Sequence, residues 1–515
     1  MTNIKDLIVN SIPAKKVSDK SKNCLTNLQA IKKKLAQNSL IELRLGFEEN
    51  EFRVINDIKS LITVIKEKFH DRLSLYKHSC LTRICIGWRL PNFALGPILQ
   101  QVIPLLLIEP VRITHIQLIL NDYPWIPEET LIRIVSWHTL ECLDLRSIRL
   151  RVRAPLKHHI SSSTSRTTTS CSSSSSSPSS LPMPSTRHNK FLHQLIQHQQ
   201  QYQQQDREDT PPNSNNANSA KDDGDDGRVW EQANIVNIVP YVSLSVKTLK
   251  LMNCGINRHH VTKLCEYIRI RMHGLKELSL RQNFTLDGGY HDLLALPCIK
   301  SLDLSLCDLE ETDGYLVSSG MLKRENKNLE RLSLAGNYRL SNAIPDIVRS
   351  AASLLNEVDC SFCGVDSGSQ REVFDILAEF PDCAIKTFRM QGIMLSDIEG
   401  LAHCVRKNSS LCHLIVDNPR STYSISLEGA DQIRKAIKSN YSIKTLSFNV
   451  IPSQSLEEIS KEIEFWLELN RCGRKALLQT NNSDRLWSII LSRGAMSDDY
   501  NILFWLLKHG AMNFT

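Results

Sequence analysis

One spacing constrains this chain more than any other. Leucine, two residues, leucine, one residue, leucine returns three times between Leu275 and Leu340. Leu275, Leu278 and Leu280 precede Asn283; Ile299, Leu302 and Leu304 precede Cys307 and Leu309; Leu329, Leu332 and Leu334 precede Asn337 and Leu340. Residues two apart in a strand lie on the same side of it, so Leu302 and Leu304 share a face, and Ile299 enters that face from the bend before it. The Cys or Asn that follows falls where the chain turns, and its side chain suits the free backbone groups of a turn. Each such unit buries about five apolar side chains, worth about 1.5–3 kcal/mol apiece, only when a neighbouring unit covers them. The spacing therefore predicts a stack of units, each held by the next.

The same pattern extends in both directions, less regularly toward the N-terminus. Leu40, Leu43 and Leu45; Leu81, Ile84 and Ile86; Ile113, Ile116 and Leu118; and Leu140, Leu143 and Leu145 read as four early strands, with helical apolar periods over 20–37 before the first and over 52–69 before the second. From Val246, Leu249 and Leu251 the pattern resumes and runs through Leu355 and Val358, Ile385 and Phe388, Leu411 and Leu414, to Ile443 and Leu446. The later units are long enough to hold a helix each, as over 372–379 and 427–438. Residues 161–226 are Ser-, then Gln-, then Asp-rich, and such a composition buries too little apolar surface to offset an ordering cost of about 1–2 kcal/mol per residue. The expected organisation is irregular repeats over 1–153, a disordered insert over 154–230, regular repeats over 231–452 and a helical cap over 453–515. In the cap, Ile459, Ile463, Trp466, Leu467 and Leu469 form an amphipathic helix, and two shorter helices are expected around Trp487 and over 504–507.

On these residues the chain resembles leucine-rich repeat proteins of the ribonuclease-inhibitor type. The resemblance implies an α/β solenoid, a horseshoe of parallel strands lining the inside and helices outside, interrupted by the insert. The run from Leu469 to Lys475 is similar to a tail found after such repeats in algal and diatom proteins. Members of this type are mostly binding scaffolds, so the resemblance implies an intracellular protein-interaction scaffold. The alternative it offers is a GTPase-activating regulator of a small GTPase, although the acidic run of this chain is internal where that group carries an acidic tail.

Composition and motifs argue against other classes. A net charge of +7 is mild and reads as spread along the chain, which does not point to nucleic acid. The most apolar window, 94–120, is interrupted by Pro97, Pro104, Glu109, Pro110 and Arg112, so no membrane span is expected. Fifteen cysteines without a disulfide spacing or a secretory signal read as reduced thiols in the cytoplasm or nucleus. Cys360 and Cys363 lack the second pair or nearby His ligands that a metal or redox role requires, and both fall on repeat positions. His259-His260 has no accompanying ligand set and reads as solvated surface. There is no phosphate loop, serine-nucleophile elbow or dinucleotide fingerprint, so no catalytic residue, metal or cofactor is expected and the protein is read as a non-enzyme.

The informative surface is formed by the strand positions between the leucines. A partner protein is expected there, on the concave face, with Asp144, Arg281, Asp303, Arg331, Asp359, Phe362, Arg389, His413 and Asp417 as its contact residues; the chain itself is read as monomeric. Mixed charge with few aromatics disfavours a lipid or an apolar ligand. The competing reading is a solvated face whose charges pair laterally, each pair worth less than about 1 kcal/mol.

Overall fold

The computed structural model describes residues 42–45, 81–87, 113–120, 126–148, 150–153, 230–233, 235–284, 288–323, 328–418, 425–449 and 454–471, with 63, 98–99, 103, 107, 286 and 474 as isolated positions. The chain divides into two units, 1–152 with 231–515, and 153–230; the first contains nearly all of the described elements. Its strands are β1 (Glu42–Leu45), β2 (Arg83–Ile86), β3 (His115–Ile119), β4 (Ile126–Pro127), β5 (Cys142–Arg146), β6 (Leu150–Arg153), β7 (Trp230–Ala233), β8 (Thr248–Met252), β9 (Glu277–Ser279), β10 (Ser301–Asp303), β11 (Arg331–Ser333), β12 (Glu357–Asp359), β13 (Thr387–Arg389), β14 (His413–Ile415) and β15 (Thr445–Ser447). Twelve of them form one sheet in the order β1-β2-β3-β5-β8-β9-β10-β11-β12-β13-β14-β15, while β4, β6 and β7 form a small second sheet.

Every pairing in the large sheet is parallel, and its register aligns the repeat positions. Leu278, Leu302, Leu332, Val358, Phe388 and Leu414 stand opposite one another in a single row, all of them buried. The row crosses the insert without a break, because Leu143 of β5 pairs with Leu249 of β8. One strand per repeat, in register, with its leucines turned toward a layer of helices, is the arrangement the sequence pattern demanded. The fold is a leucine-rich repeat solenoid.

A ladder of side chains at the turns holds consecutive repeats together. Asn283 donates its amide N–H groups to the carbonyls of Leu251 (2.8 Å) and Leu280 (2.6 Å), and its Oδ1 accepts the backbone N–H groups of Cys254 (3.0 Å) and Ile256 (3.1 Å). Asn337 repeats this for Leu304, Leu334, Cys307 and Leu309. In the intervening repeats a cysteine takes the position: Cys307 donates its thiol to the Leu280 carbonyl and Cys363 to that of Leu334, each at 3.2 Å. Burial pushes the Cys363 thiol up to about 12 and that of Cys360 well above its ordinary value, so both stay protonated at neutral pH. A second set of asparagines acts at the ends of the helices. Asn408 donates to the Leu377 carbonyl and accepts from Ser410 and Leu411, and Asn440 donates to the Val405 carbonyl and accepts from Ser442 and Ile443.

The helices are α1 (Glu128–Val135), α2 (Arg258–Arg271), α3 (Tyr290–Leu294), α4 (Glu311–Leu322), α5 (Ile344–Ala351), α6 (Ser367–Glu379), α7 (Ile398–Lys407), α8 (Leu427–Ser439) and α9 (Gln454–Arg471). Asp366, Asp397 and Ser426 start α6, α7 and α8 by accepting the N–H three residues on. Each helix buries one stripe, as Val261, Leu264, Cys265 and Ile268 do in α2. In α9 the expected Ile463, Trp466, Leu467 and Leu469 are buried, joined by Leu456 and Phe465, and Ile459 is partly so. Buried Glu462 of α9 binds Arg434 of α8 at 2.8 Å, a pair that the apolar pattern alone does not reveal.

His260 departs from the solvated role read in the sequence. Its Nδ1 accepts the N–H of Asn257 (3.3 Å) while Asn257 Oδ1 accepts the N–H of His260 (3.1 Å), which closes a reciprocal cap on α2. Burial, then the charges of His259 and Lys263, lower the pKa of His260. A lowered pKa means that the folded state prefers the neutral ring, so this stabilisation is complete above the unfolded value and is lost as the pH falls through the folded one. Between pH 7.5 and pH 5 the wild type should lose about 0.5–1 kcal/mol more than His260→Gln, whose amide oxygen still accepts but does not titrate. Urea melts at the two pH values read this difference, and equal losses would exclude the cap as the cause.

The helices expected over 20–37, 52–69, around Trp487 and over 504–507 lie outside the described residues, as do the Ser-, Gln- and Asp-rich stretches of the insert.

Candidate interaction face

The strand positions between the leucines project from the sheet face opposite the helices, and the register sorts them into three rows. The first row runs Arg83, His115, Cys142, Thr248, Glu277, Ser301, Arg331, Glu357, Thr387, His413 and Thr445. The second holds Asp144, Lys250, Ser279, Asp303, Ser333, Asp359 and Arg389. Arg281 and Asp417 lie just past their strands, where the hydrogen bonds of the turn continue the same alignment.

Neighbours brace most of these side chains. Arg331 reaches across β10 to Glu277 on β9, with N–O at 2.8 Å, and Arg389 binds Glu357 on the adjacent strand. Asp303 accepts the hydroxyl of Ser279 (2.8 Å) and the N–H of Ser305 (3.0 Å), and Asp359 accepts the N–H of Ser361 (3.0 Å). Asp417 accepts from Gln391 Nε2 (2.6 Å) and from the Ser447 hydroxyl. His413 Nδ1 lies 3.1 Å from Thr445 Oγ1, and burial, followed by the Lys444 and Arg389 charges, lowers its pKa, which favours the neutral ring. Asp144 is only 5% exposed, with its oxygens taken by Gln117 and by both arms of the Arg146 fork. What β5 presents outward is therefore Arg146.

Lateral pairing of the kind the sequence left open is thus present. The two arginine pairs are half-exposed, with side-chain exposures of 46% and 42% for Arg331 and Glu277, so each contributes under about 1 kcal/mol to stability. Their greater effect is to hold guanidinium groups in fixed positions. Lys250 and Arg281 have no carboxylate partner among the described residues, and Asp303 and Asp359 have no cationic one. Sequence spacing gives no signal for the reach of Arg331 past a whole strand. It depends on Ser301 being small enough to be bridged.

Phe362 stands apart from the three rows. Ser147, Asn253, Gln282, Leu306, Gly336, Phe362 and Gly392 occupy the same turn position in successive repeats, all with φ between 51° and 79°. A Cβ at Gly392 would overlap the Phe362 ring, and one at Gly336 would overlap Leu306. Glycine at those two turns lets the bulky side chain of the preceding repeat lie flat across the next, which leaves Phe362 40% exposed at the rim of the face.

Among the described residues no group of three His, Cys, Asp or Glu side chains is placed to hold a metal ion, and no helix is long and apolar enough to cross a membrane. No family model matches the chain, and no curated protein matches it. Among solved structures the chain is similar to the leucine-rich repeat-containing protein LegL7 from Legionella pneumophila, at 15% identity and a TM-score of 0.31, over 44% of this chain and 84% of that one.

Proposed function

We propose that this protein is an intracellular interaction scaffold of the ribonuclease-inhibitor-like type, and that its sheet face binds a protein partner through Arg281, Asp303, Arg331, Asp359, Phe362, Arg389, His413 and Asp417. The observation that carries this reading is the bracing of Arg331 by Glu277 and of Arg389 by Glu357. Long flexible side chains lose rotamer freedom when a partner binds, and arginines already held by neighbours lose less of it. The neighbouring Asp303 and Asp359 supply acceptors of opposite charge at fixed heights on the same face, and Phe362 adds an aromatic edge. Arginine and aromatic side chains are the types that dominate interface energetics. A helix behind most strands of the regular repeats supports the subtype.

The test is affinity capture from a cell extract with the intact protein and with a variant carrying Asp303, Arg331, Asp359 and Arg389 all as Ala. Anchors of this kind are worth about 2 kcal/mol or more each, so a partner held by the face should vanish from the variant while its Tm stays within a few degrees. A partner set unchanged by the four substitutions would refute the reading. Faster GTP hydrolysis by a small GTPase in the presence of the protein would replace it with the regulatory alternative.

A further inference from the structure

The net value conceals locally positive stretches, one of which lies on the solenoid. Between 246 and 276 there are seven Lys or Arg residues against the single acid Glu266, in a chain whose total is only +7. This stretch is β8 and α2. Helix α2 turns Arg258, His259, Lys263, Arg269 and Arg271 outward, while its apolar stripe is buried. Several exposed arginines elsewhere on the solenoid are paired, as Arg339 is with Glu310 and Arg349 with Asp346 and Glu372. Arg269 has a carboxylate partner, Asp292 of α3 at 3.6 Å; Arg271 binds the Pro240 carbonyl, and no carboxylate among the described residues pairs with Arg258 or Lys263.

Helix electrostatics does not explain this distribution. The positive end of a helix dipole lies at its N-terminus, where α1, α4, α7 and α8 place Glu128, Glu311, Glu399 and Glu428. Helix α2 instead begins Arg258-His259-His260 with no acid in its first turn. Beside its far end lies an exposed apolar group: Ile270 at 63%, Leu244 at 58% and Tyr241 at 50%. The Arg271–Pro240 hydrogen bond (2.6 Å) and the approach of Gly274 to the Leu244 carbonyl bring residues 240–247 against the end of α2, so cations and apolar side chains form one surface.

We infer that the outer face of α2, with Tyr241 and Leu244, is a second docking surface that takes an acidic segment of a partner protein bearing apolar side chains. Charge complementarity selects an anionic occupant, and the three exposed apolar residues select one that has something to bury. A nucleic-acid backbone offers phosphates without such groups. An anionic membrane is disfavoured because Val261, Leu264, Cys265 and Ile268 are fixed in the core and leave α2 no apolar face to sink into lipid.

The test uses the full-length protein and a fluorescent amphipathic peptide with Asp and Glu on one face and Leu and Phe on the other, followed by anisotropy across a salt series. The peptide should bind and weaken with salt. Both the charge-reversed Arg258→Glu/Lys263→Glu pair and the Leu244→Ser/Ile270→Ser pair should lose at least about tenfold in affinity, with Tm held as the check on folding. Lys461→Glu, on the terminal helix, should bind as the wild type does. The inference is overturned by absence of binding, by wild-type affinity in either double variant, by an equal loss in Lys461→Glu, or by tighter binding of duplex DNA or phosphatidylserine vesicles than of the peptide. The sheet-face variant with four alanines should bind the peptide normally, so the two surfaces are tested independently.

Discussion

Asn337→Ala should destabilise the central repeats by about 4 kcal/mol, since it strips a partner from four buried backbone groups; the Leu334 carbonyl keeps only the weak Cys363 thiol bond, and the other three each cost about 1–3 kcal/mol when left unsatisfied. The groups are the N–H of Cys307 and Leu309 and the carbonyls of Leu304 and Leu334. Asn337 itself is fully buried, so water cannot replace the amide without reorganising the turn. Asn337→Asp should do no better. The carboxylate still accepts the two N–H groups, but it places a charge against two carbonyls to which it cannot donate. Stability in a solenoid is a sum of local units and interfaces, so the effect should be local. Hydrogen exchange is the suitable measurement: the amides of Cys307 and Leu309 should lose protection while those of β13 to β15 keep it. A loss below about 1 kcal/mol in urea melts would show that the turn does not depend on the amide.

Gly314→Ala is the second large effect, and its sign is the informative part. In an exposed helix interior the change stabilises by about 1 kcal/mol, because glycine is the poorer helix former. Here a Cβ on Gly314 would overlap Ala343 Cβ and stand 3.0 Å from Leu340 Cδ2 and 3.5 Å from Ile347 Cδ1. The Cβ of an alanine cannot turn aside, so α4 must move away from α5 and open the layer behind β10 and β11. Overpacking of this kind costs about 1–3 kcal/mol, which exceeds the propensity gain. Gly368→Ala in α6 is the control, since its nearest neighbour would be Asp366 Oδ1 at 3.6 Å. The control should raise Tm slightly and Gly314→Ala should lower it; a rise in both would mean that the helix contact is loose.

The strands were legible in the sequence because their signal is redundant. Leu278, Leu302, Leu332, Val358, Phe388 and Leu414 occupy the same row of the sheet, and any one of them fixes the phase of its own repeat. The face opposite the helices followed from that phase, which is why Arg281, Asp303, Arg331, Asp359, Arg389, His413 and Asp417 fall on it. Three features did not follow. Asp144 is consumed by Gln117 and Arg146 because side-chain hydrogen bonding across strands depends on rotamers, which alternation does not encode. Phe362 lies in a left-handed turn beyond the rows, and the signal for it was the pair Gly336 and Gly392 in the flanking repeats. The concentration of charge on α2 was visible in composition over a short window, but net charge for the whole chain averages it away.

The turn ladder has one more consequence. Asparagine and cysteine alternate along it: Cys254, Asn283, Cys307, Asn337, Cys363. Each asparagine accepts two backbone N–H groups from the repeat before its own, whereas each cysteine sends back only a single weak thiol bond. Strong and weak seams therefore follow one another, and the repeats from β8 onward are joined as couples, β8 with β9 and β10 with β11. The natural place to divide or shorten this chain is at a seam spanned by cysteine, because a cut there separates whole couples and strands no buried asparagine side chain.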